Sequence, residues 1–351
     1  MATTASTRRQ FLTLLGLSTL AAGCGTAASG ATSAKGGTKT LRYQGWAGQV
    51  ILPELAEDLG YLRDLKLEWV GNTISGPQDI QSAATGQVDF GGAFNGAVVK
   101  LAANKAPVKA VISYYGADKY AYNGFYVLTD SPIRGARDLI GKKIGMNTLG
   151  AHSEAMLDIY LQRGGLGRAD VDKTERLVVP PVNTEQSLRQ KQIDVAVLGG
   201  VLRDKALATG GIRPLFTDFD LLGAFSAGTY VMTDRFLEQN PATARTFVTA
   251  VGKAIEWSRS TPRDEVIARM TDIVKRRDRN EDPEPLKYWR SYGVAEPAGR
   301  VAGKELQLWI DWLAGRGDIR KEQVKLPDLY TNKFNATASA SGSTSASTSG
   351  R

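Results

Sequence analysis

A single histidine and a single cysteine restrict the chemistry open to this chain of 351 residues. An enzyme needs a nucleophile, a general acid or base, or a cofactor site. The sequence holds no G-x-S-x-G elbow, no Walker loop and no H-E-x-x-H, and GQVDFGG and GGLG are wrongly spaced between strand and helix for a dinucleotide fingerprint. One histidine with one cysteine cannot build the usual zinc sites, and a lone cysteine closes no intramolecular disulfide. No catalytic residue, metal or cofactor is therefore expected. His152 follows a strand and opens a helix, where it serves either as a base or pocket donor or as an ordinary surface histidine at a helix start.

What remains is a set of small and polar residues at the ends of strands. Five corners stand out: Gln44, Gly45 and Trp46; Thr73, Ser75 and Gly76; Asn95 and Gly96; Thr148, Gly150, Ala151, His152 and Ser153; and Gly199 with Gly200. Ligands of open α/β sheets bind outside the carboxyl ends of strands, where each following helix presents unpaired N–H groups and the positive end of its dipole. Glycine lets a backbone approach a ligand, and Thr, Ser and Asn supply neutral donors. Singly, each corner is accounted for by turn geometry. Five in series point to a cleft for a small anion, with the amides of Gly150 and Ala151 and the hydroxyls of Ser75, Thr148 and Ser153 as donors.

The elements that must hold these corners follow from the apolar pattern. A chain of this length with 42% hydrophobic and 23% charged residues is globular and long enough for two domains. From Leu41 short β-rich runs alternate with helical stretches, the signature of helix-covered parallel sheets. The expected class is α/β, with two doubly wound lobes. The phrase YVMTD (residues 230 to 234) echoes YVLTD (126 to 130), as two extended segments would if the chain crosses into a second lobe once and returns once. Lobe 1 is expected over 40–125 and 227–334, and lobe 2 over 126–226. Pro241 to Gly317 reads as helical; Phe247, Val248 and Val251, and later Leu306, Trp309 and Leu313, keep helical spacing, so these helices pack on the first lobe. Tyr114, Tyr115, Tyr120 and Tyr122 cluster near the first crossing, either as a cleft wall or as core.

The ends read differently. STRRQFL, with Arg8 and Arg9, precedes an apolar run too short to span a bilayer, and LAAGC ends at Cys24. The paired arginines have the shape of a twin-arginine export signal, and LAAGC resembles a lipoprotein lipobox, in which the cysteine is acylated and becomes the new N-terminus. Residues 1–23 are then a leader, 24–39 a Gly/Ala/Ser/Thr-rich tether, and 335–351 a tail too polar to order itself. The formal charge of +8 falls to +6 without the leader arginines and forms no long basic block, which argues against a nucleic-acid partner.

LRYQGW, SGPQDIQSAATGQVDFGGAFNG, VLTDSPIRGARDLIGKKIGMNTLGAHSE and LRQKQIDVAVLGG together resemble the substrate-binding proteins of ABC importers for nitrate, taurine and aliphatic sulfonates, over about residues 40 to 260. The resemblance implies a type 2 periplasmic binding protein, monomeric and non-enzymatic, lipid-anchored on the extracytoplasmic face, with a permease and an ATPase as partners. It places ligand contacts on Gln44, Trp46, Ser75, Gly76, Asn95, Gly96 and Thr148 through Ser153. Where relatives often carry an aromatic, Asp and Pro, this chain has Leu198, Gly199, Gly200 and Val201, a gap that suits a bulkier ligand than nitrate. The alternatives are a pyrimidine-precursor binding protein; the related pyrimidine-synthase type of enzyme, against which the absence of cysteine after Cys24 counts; and a sensory surface lipoprotein.

Overall fold

The computed structural model describes residues 37–336. The expected leader with Arg8, Arg9 and Cys24, most of the tether and nearly all of the tail lie outside these residues. Asn335, assigned to the tail from its sequence, is instead buried and donates its amide to Ala298 O at 2.8 Å. The backbone of Thr38 is tied to Asn240 and Thr243.

In chain order, the first series is β1 (Thr40–Gly45), α1 (Leu52–Asp58), β2 (Lys66–Asn72), α2 (Gly76–Ala84), β3 (Gly91–Phe94), α3 (Asn95–Ala103) and β4 (Val108–Ala117). The second is β5 (Gly124–Leu128), β6 (Lys143–Met146), α4 (His152–Arg163), α5 (Arg168–Val171), β7 (Glu175–Val178), α6 (Pro181–Arg189), β8 (Val195–Leu198), α7 (Gly200–Thr209), β9 (Ile212–Thr217) and α8 (Asp218–Leu222). The chain ends with β10 (Phe225–Thr233), α9 (Asp234–Gln239), α10 (Pro241–Ser260), α11 (Arg263–Arg276), α12 (Gly303–Arg316) and α13 (Leu326–Leu329).

Three sheets result: β1-β2; β3-β10-β4; and β7-β6-β8-β5-β9. β1 runs parallel to β2, and β6 runs parallel to β7 and β8. The expectation of purely parallel sheets is corrected at two strands. β10 is antiparallel to both β3 and β4, and β5 is antiparallel to both β8 and β9. These are the strands that carry the echoed phrases, and each lies between its two antiparallel neighbours. The segment that passes from the first series to the second is 118–123, just upstream of YVLTD rather than within it, and the return lies at 223–224. A strand entering a sheet straight from such a crossing has no helix to turn it round, so it runs against the strands that βα units set.

Packing follows the periodicity. Phe247, Val248, Val251, Ala254 and Ile255 bury one face of α10 against α1 and β4. Trp309 of α12 is fully buried, its ring 4.5 Å from that of Phe94, where α12 packs on α3 and β10. Fully burying one such side chain contributes roughly 2–3 kcal/mol, so these helices are part of the fold's core. The stretch from Asp278 to Ala302 departs from the helical expectation: it is extended chain with short 3-10 turns at Glu284–Tyr288 and Pro297–Gly299. Pro283, Pro285 and Pro297 lack the N–H that would continue a helix. One apolar cluster runs through the junction between the second and third sheets, joining Val98 and Ala110 to Phe125, Ile144 and Leu157.

Candidate functional site

A cavity of about 320 Å³ opens between the β3-β10-β4 sheet and the five-stranded sheet. The first series contributes Trp46 and Gly76; the second contributes Thr148, Ala151, His152 and Ser153 at the start of α4 and Gly199 and Gly200 at the start of α7. Each of these residues ends a strand or begins a helix, so the alternation of β and α runs in the sequence is what delivers them to one place.

The remaining candidates lie off the wall, each for a visible reason. Asn95 is fully buried and donates its amide to Ser226 O at 3.1 Å. Gly96 lies beneath the Phe94 ring, where an added Cβ would come within 2.4 Å of Cε1. Gln44 is on β1 with its buried Oε1 unpartnered. Gly150, expected to offer its amide to an anion, gives that N–H to Glu154 Oε2 at 2.6 Å. Ser75 precedes α2, and its hydroxyl meets Thr148 Oγ1 at 3.5 Å, joining the two sides of the cleft. Tyr114, Tyr115 and Tyr122 line the cavity, whereas Tyr120 is half exposed outside it.

His152 is buried, which excludes the surface reading; its exposure is 7%. Its Nε2 lies 2.8 Å from Asp218 Oδ2, and Asp218 is fully buried. The same carboxylate accepts from Asn123 N at 3.0 Å and from Asn123 Nδ2 at 3.3 Å. A carboxylate only accepts, so it fixes the imidazole proton on Nε2 and leaves Nδ1 facing no protein partner. The ring is held between Phe94 and Phe225, at centroid distances of 5.4 and 5.9 Å. Asn123 belongs to the 118–123 crossing, so the dyad ties the start of α4 to the segment that joins the sheets.

Among the described residues, the wall contains no lysine, arginine, aspartate or glutamate. Positive potential comes instead from helix ends: α2, α4, α6 and α7 all begin at the cavity without a side-chain cap. Burial pushes the hydroxyls of Tyr114, Tyr115, Tyr230 and Tyr292 well above the ordinary tyrosine range, so they are neutral hydrogen-bonding groups. Gly199 and Gly200 are required by geometry. A Cβ at Gly199 would meet Asn123 Oδ1 at 1.9 Å, and Gly200 has φ +53°, a conformation that bulky residues rarely adopt.

Residues 54–265, well over half of the chain, match the family described as NMT1/THI5 like. The chain belongs to the NMT1/THI5-like family. No curated protein matches the sequence of this NMT1/THI5-like chain significantly. Among solved structures, the periplasmic aliphatic sulphonate binding protein SsuA of Escherichia coli is 20% identical, with a TM-score of 0.63 over 82% of this chain and 91% of its own. The alkanesulfonate-binding protein SsuA of Xanthomonas axonopodis, bound to MOPS, is 19% identical, with a TM-score of 0.64 over 84% and 99%. The periplasmic nitrate-binding protein NrtA of Synechocystis is 12% identical, with a TM-score of 0.67 over 87% and 89%. At these identities the likeness shows the fold, the two-lobed α/β architecture of periplasmic binding proteins.

Asp218, Asn123, Trp289 and Tyr292 belong to the site's surroundings and were not legible as such in the sequence. Trp289 and Tyr292 come from the non-helical stretch that periodicity assigned to helix, and they line the cavity. An aspartate opening a helix after a strand, here Asp218, was the one available signal, and it is shared with every ordinary helix start. Among the described residues no cluster of His, Cys, Asp and Glu could hold a metal ion, and no helix is long and apolar enough to cross a membrane.

Proposed function

We propose that the chain is a solute receptor of the ABC-importer type, which binds a ligand between two lobes and performs no reaction. Lobe 1 comprises 40–117 and 225–334 and lobe 2 comprises 124–222, a few residues from the bounds expected from sequence, joined by the crossings at 118–123 and 223–224. The observation that carries this reading is the cavity, walled from both sheets, free of side-chain charge and faced by four uncapped helix starts. Such a wall favours an oxyanion head through oriented N–H groups. The ligand class is a small solute of the sulfonate-, taurine- or nitrate-like kind, in keeping with what the SsuA and NrtA structures are named for. Ligand held by both lobes has higher affinity for the closed state and shifts the hinge equilibrium toward it. The closed form is what a permease with its ATPase receives, from a monomeric receptor.

The same proposal places the protein on the extracytoplasmic face of the cell membrane. It is exported by the twin-arginine route through Arg8 and Arg9 and anchored by two acyl chains on Cys24. Two acyl chains suffice for stable anchoring at ~0.8 kcal/mol per buried methylene. Calorimetric titration with alkanesulfonates, taurine and nitrate is expected to give heat with at least one of them, accompanied by a smaller radius of gyration in X-ray scattering. No heat and no compaction with any solute tried removes the receptor reading. Cys24→Ala is expected to release the protein from the membrane fraction, and unchanged attachment removes the anchor.

A further inference from the structure

The cavity's size and wall chemistry narrow the ligand beyond the sulfonate, taurine and nitrate class. At about 320 Å³ it has room for roughly ten waters at ~30 Å³ each, so a four-atom oxyanion leaves most of it unfilled. Much of the wall is aromatic, including Trp46, Tyr122, Tyr230, Trp289 and Tyr292. With no charged side chain to compensate it, a ligand bearing several charges would lose its hydration without return. A single negative charge is provided for by the starts of α2, α4, α6 and α7.

Three buried polar atoms on wall residues have no protein partner: His152 Nδ1, Tyr230 Oη and Trp289 Nε1. Buried polar groups are nearly always satisfied, and unsatisfied ones need an explanation. The indole N–H can only donate, and the phenol O–H can donate. Trp289 Nε1 and Tyr230 Oη are therefore donors that suit a ligand with acceptor oxygens, whereas His152 Nδ1, with the ring proton on Nε2, is an acceptor.

We infer that the ligand is an aromatic monoanion: a planar ring bearing one sulfonate or carboxylate, its ring against the aromatic wall and its oxyanion at the start of α4 beside His152. This rests on the receptor reading above. His152 Nε2 is committed to Asp218, and that bond, with Phe94 and Phe225 on either side of the ring, holds the start of α4 in place against the oxyanion.

The test is calorimetry on the full chain with benzenesulfonate, benzoate, methanesulfonate, taurine, nitrate and neutral benzamide. Benzenesulfonate or benzoate is expected to bind at least about tenfold tighter than methanesulfonate or taurine, from ring burial and stacking. His152→Gln, which breaks the bond that holds the start of α4 to Asp218, is expected to weaken the aromatic anion about tenfold. Trp46→Ala, at a half-buried position, is expected to shrink the aromatic preference; circular dichroism verifies folding of both variants. Methanesulfonate, taurine or nitrate binding as tightly as the aromatic anions overturns the inference while leaving the receptor standing. Benzamide matching benzenesulfonate overturns the anionic head, and unchanged affinity in both variants overturns the assigned contacts. Silence with every probe, without compaction, overturns both this inference and the receptor reading.

Discussion

Asp218 shows how one residue can matter without touching a ligand. It is fully buried and receives hydrogen bonds from His152 and from both nitrogens of Asn123, so it orients the ring and holds the crossing segment at once. In Asp218→Asn the neutral amide can accept or donate, and the imidazole loses its enforced tautomer. Nitrogen-15 NMR is expected to show Nε2–H alone in the parent and a tautomer mixture in the variant. Ligand affinity is expected to fall roughly tenfold, the value of a hydrogen bond to a charged group. A parent tautomer already mixed would contradict the assignment. At this scale the sequence exposed His152 because it is unique, and concealed Asp218 because nothing in a linear string pairs positions 66 residues apart.

Among the elements, α12 and α4 are joined by an ion cluster that neither helix advertises. Arg316, the last residue of α12, contacts Glu154 at 3.0 Å and also Asp158, while Arg176 on β7 contacts Glu154 at 2.7 Å and Asp158 at 2.8 Å. Both carboxylates are buried. Glu154 also takes the Gly150 N–H, so the cluster steadies the loop that leads into α4. Arg316→Met leaves two buried carboxylates sharing one guanidinium, and breaking such a network costs roughly 3 kcal/mol. Urea denaturation is expected to show that loss. Because α12 packs with the first series and α4 belongs to the second, faster ligand release is expected alongside it. A midpoint within experimental error of the parent would show that the cluster stabilises little. Helical periodicity located α10 and α12 and their apolar faces, and it failed from Asp278 to Ala302, where prolines and tertiary contacts replace local pattern.

For the molecule as a whole, two carboxyls beneath the strands couple stability to pH. Burial pushes Asp79 up to about 7, against the opposing bond from Gly92 N–H, and burial likewise pushes Glu305 up to about 7. Each holds its proton in the folded state at pH values where the unfolded chain, at 3.8 and 4.5, has released it. Their contribution is therefore complete below pH 4 and is lost as pH rises through about 7. The double variant Asp79→Asn, Glu305→Gln is expected to keep a flatter stability profile between pH 5 and 8 than the parent. Parallel profiles in thermal denaturation would show that neither carboxyl carries a proton across that range.

The order of strands and helices, the buried faces of α10 and α12, the wall positions at Trp46, Gly76, Thr148 and Gly199, and the family itself are set by local pattern and motif. Alternation, helical spacing and glycine at turns act over a few residues and survive in a linear string. The reversed direction of β5 and β10, the placement of Trp289 and Tyr292 on the wall, the burial of His152 on Asp218 and the diversion of Asn95 and Gly150 to protein partners were decided only when distant segments packed. Those outcomes depend on which donor meets which acceptor once water is excluded, and that competition exists only in the folded chain.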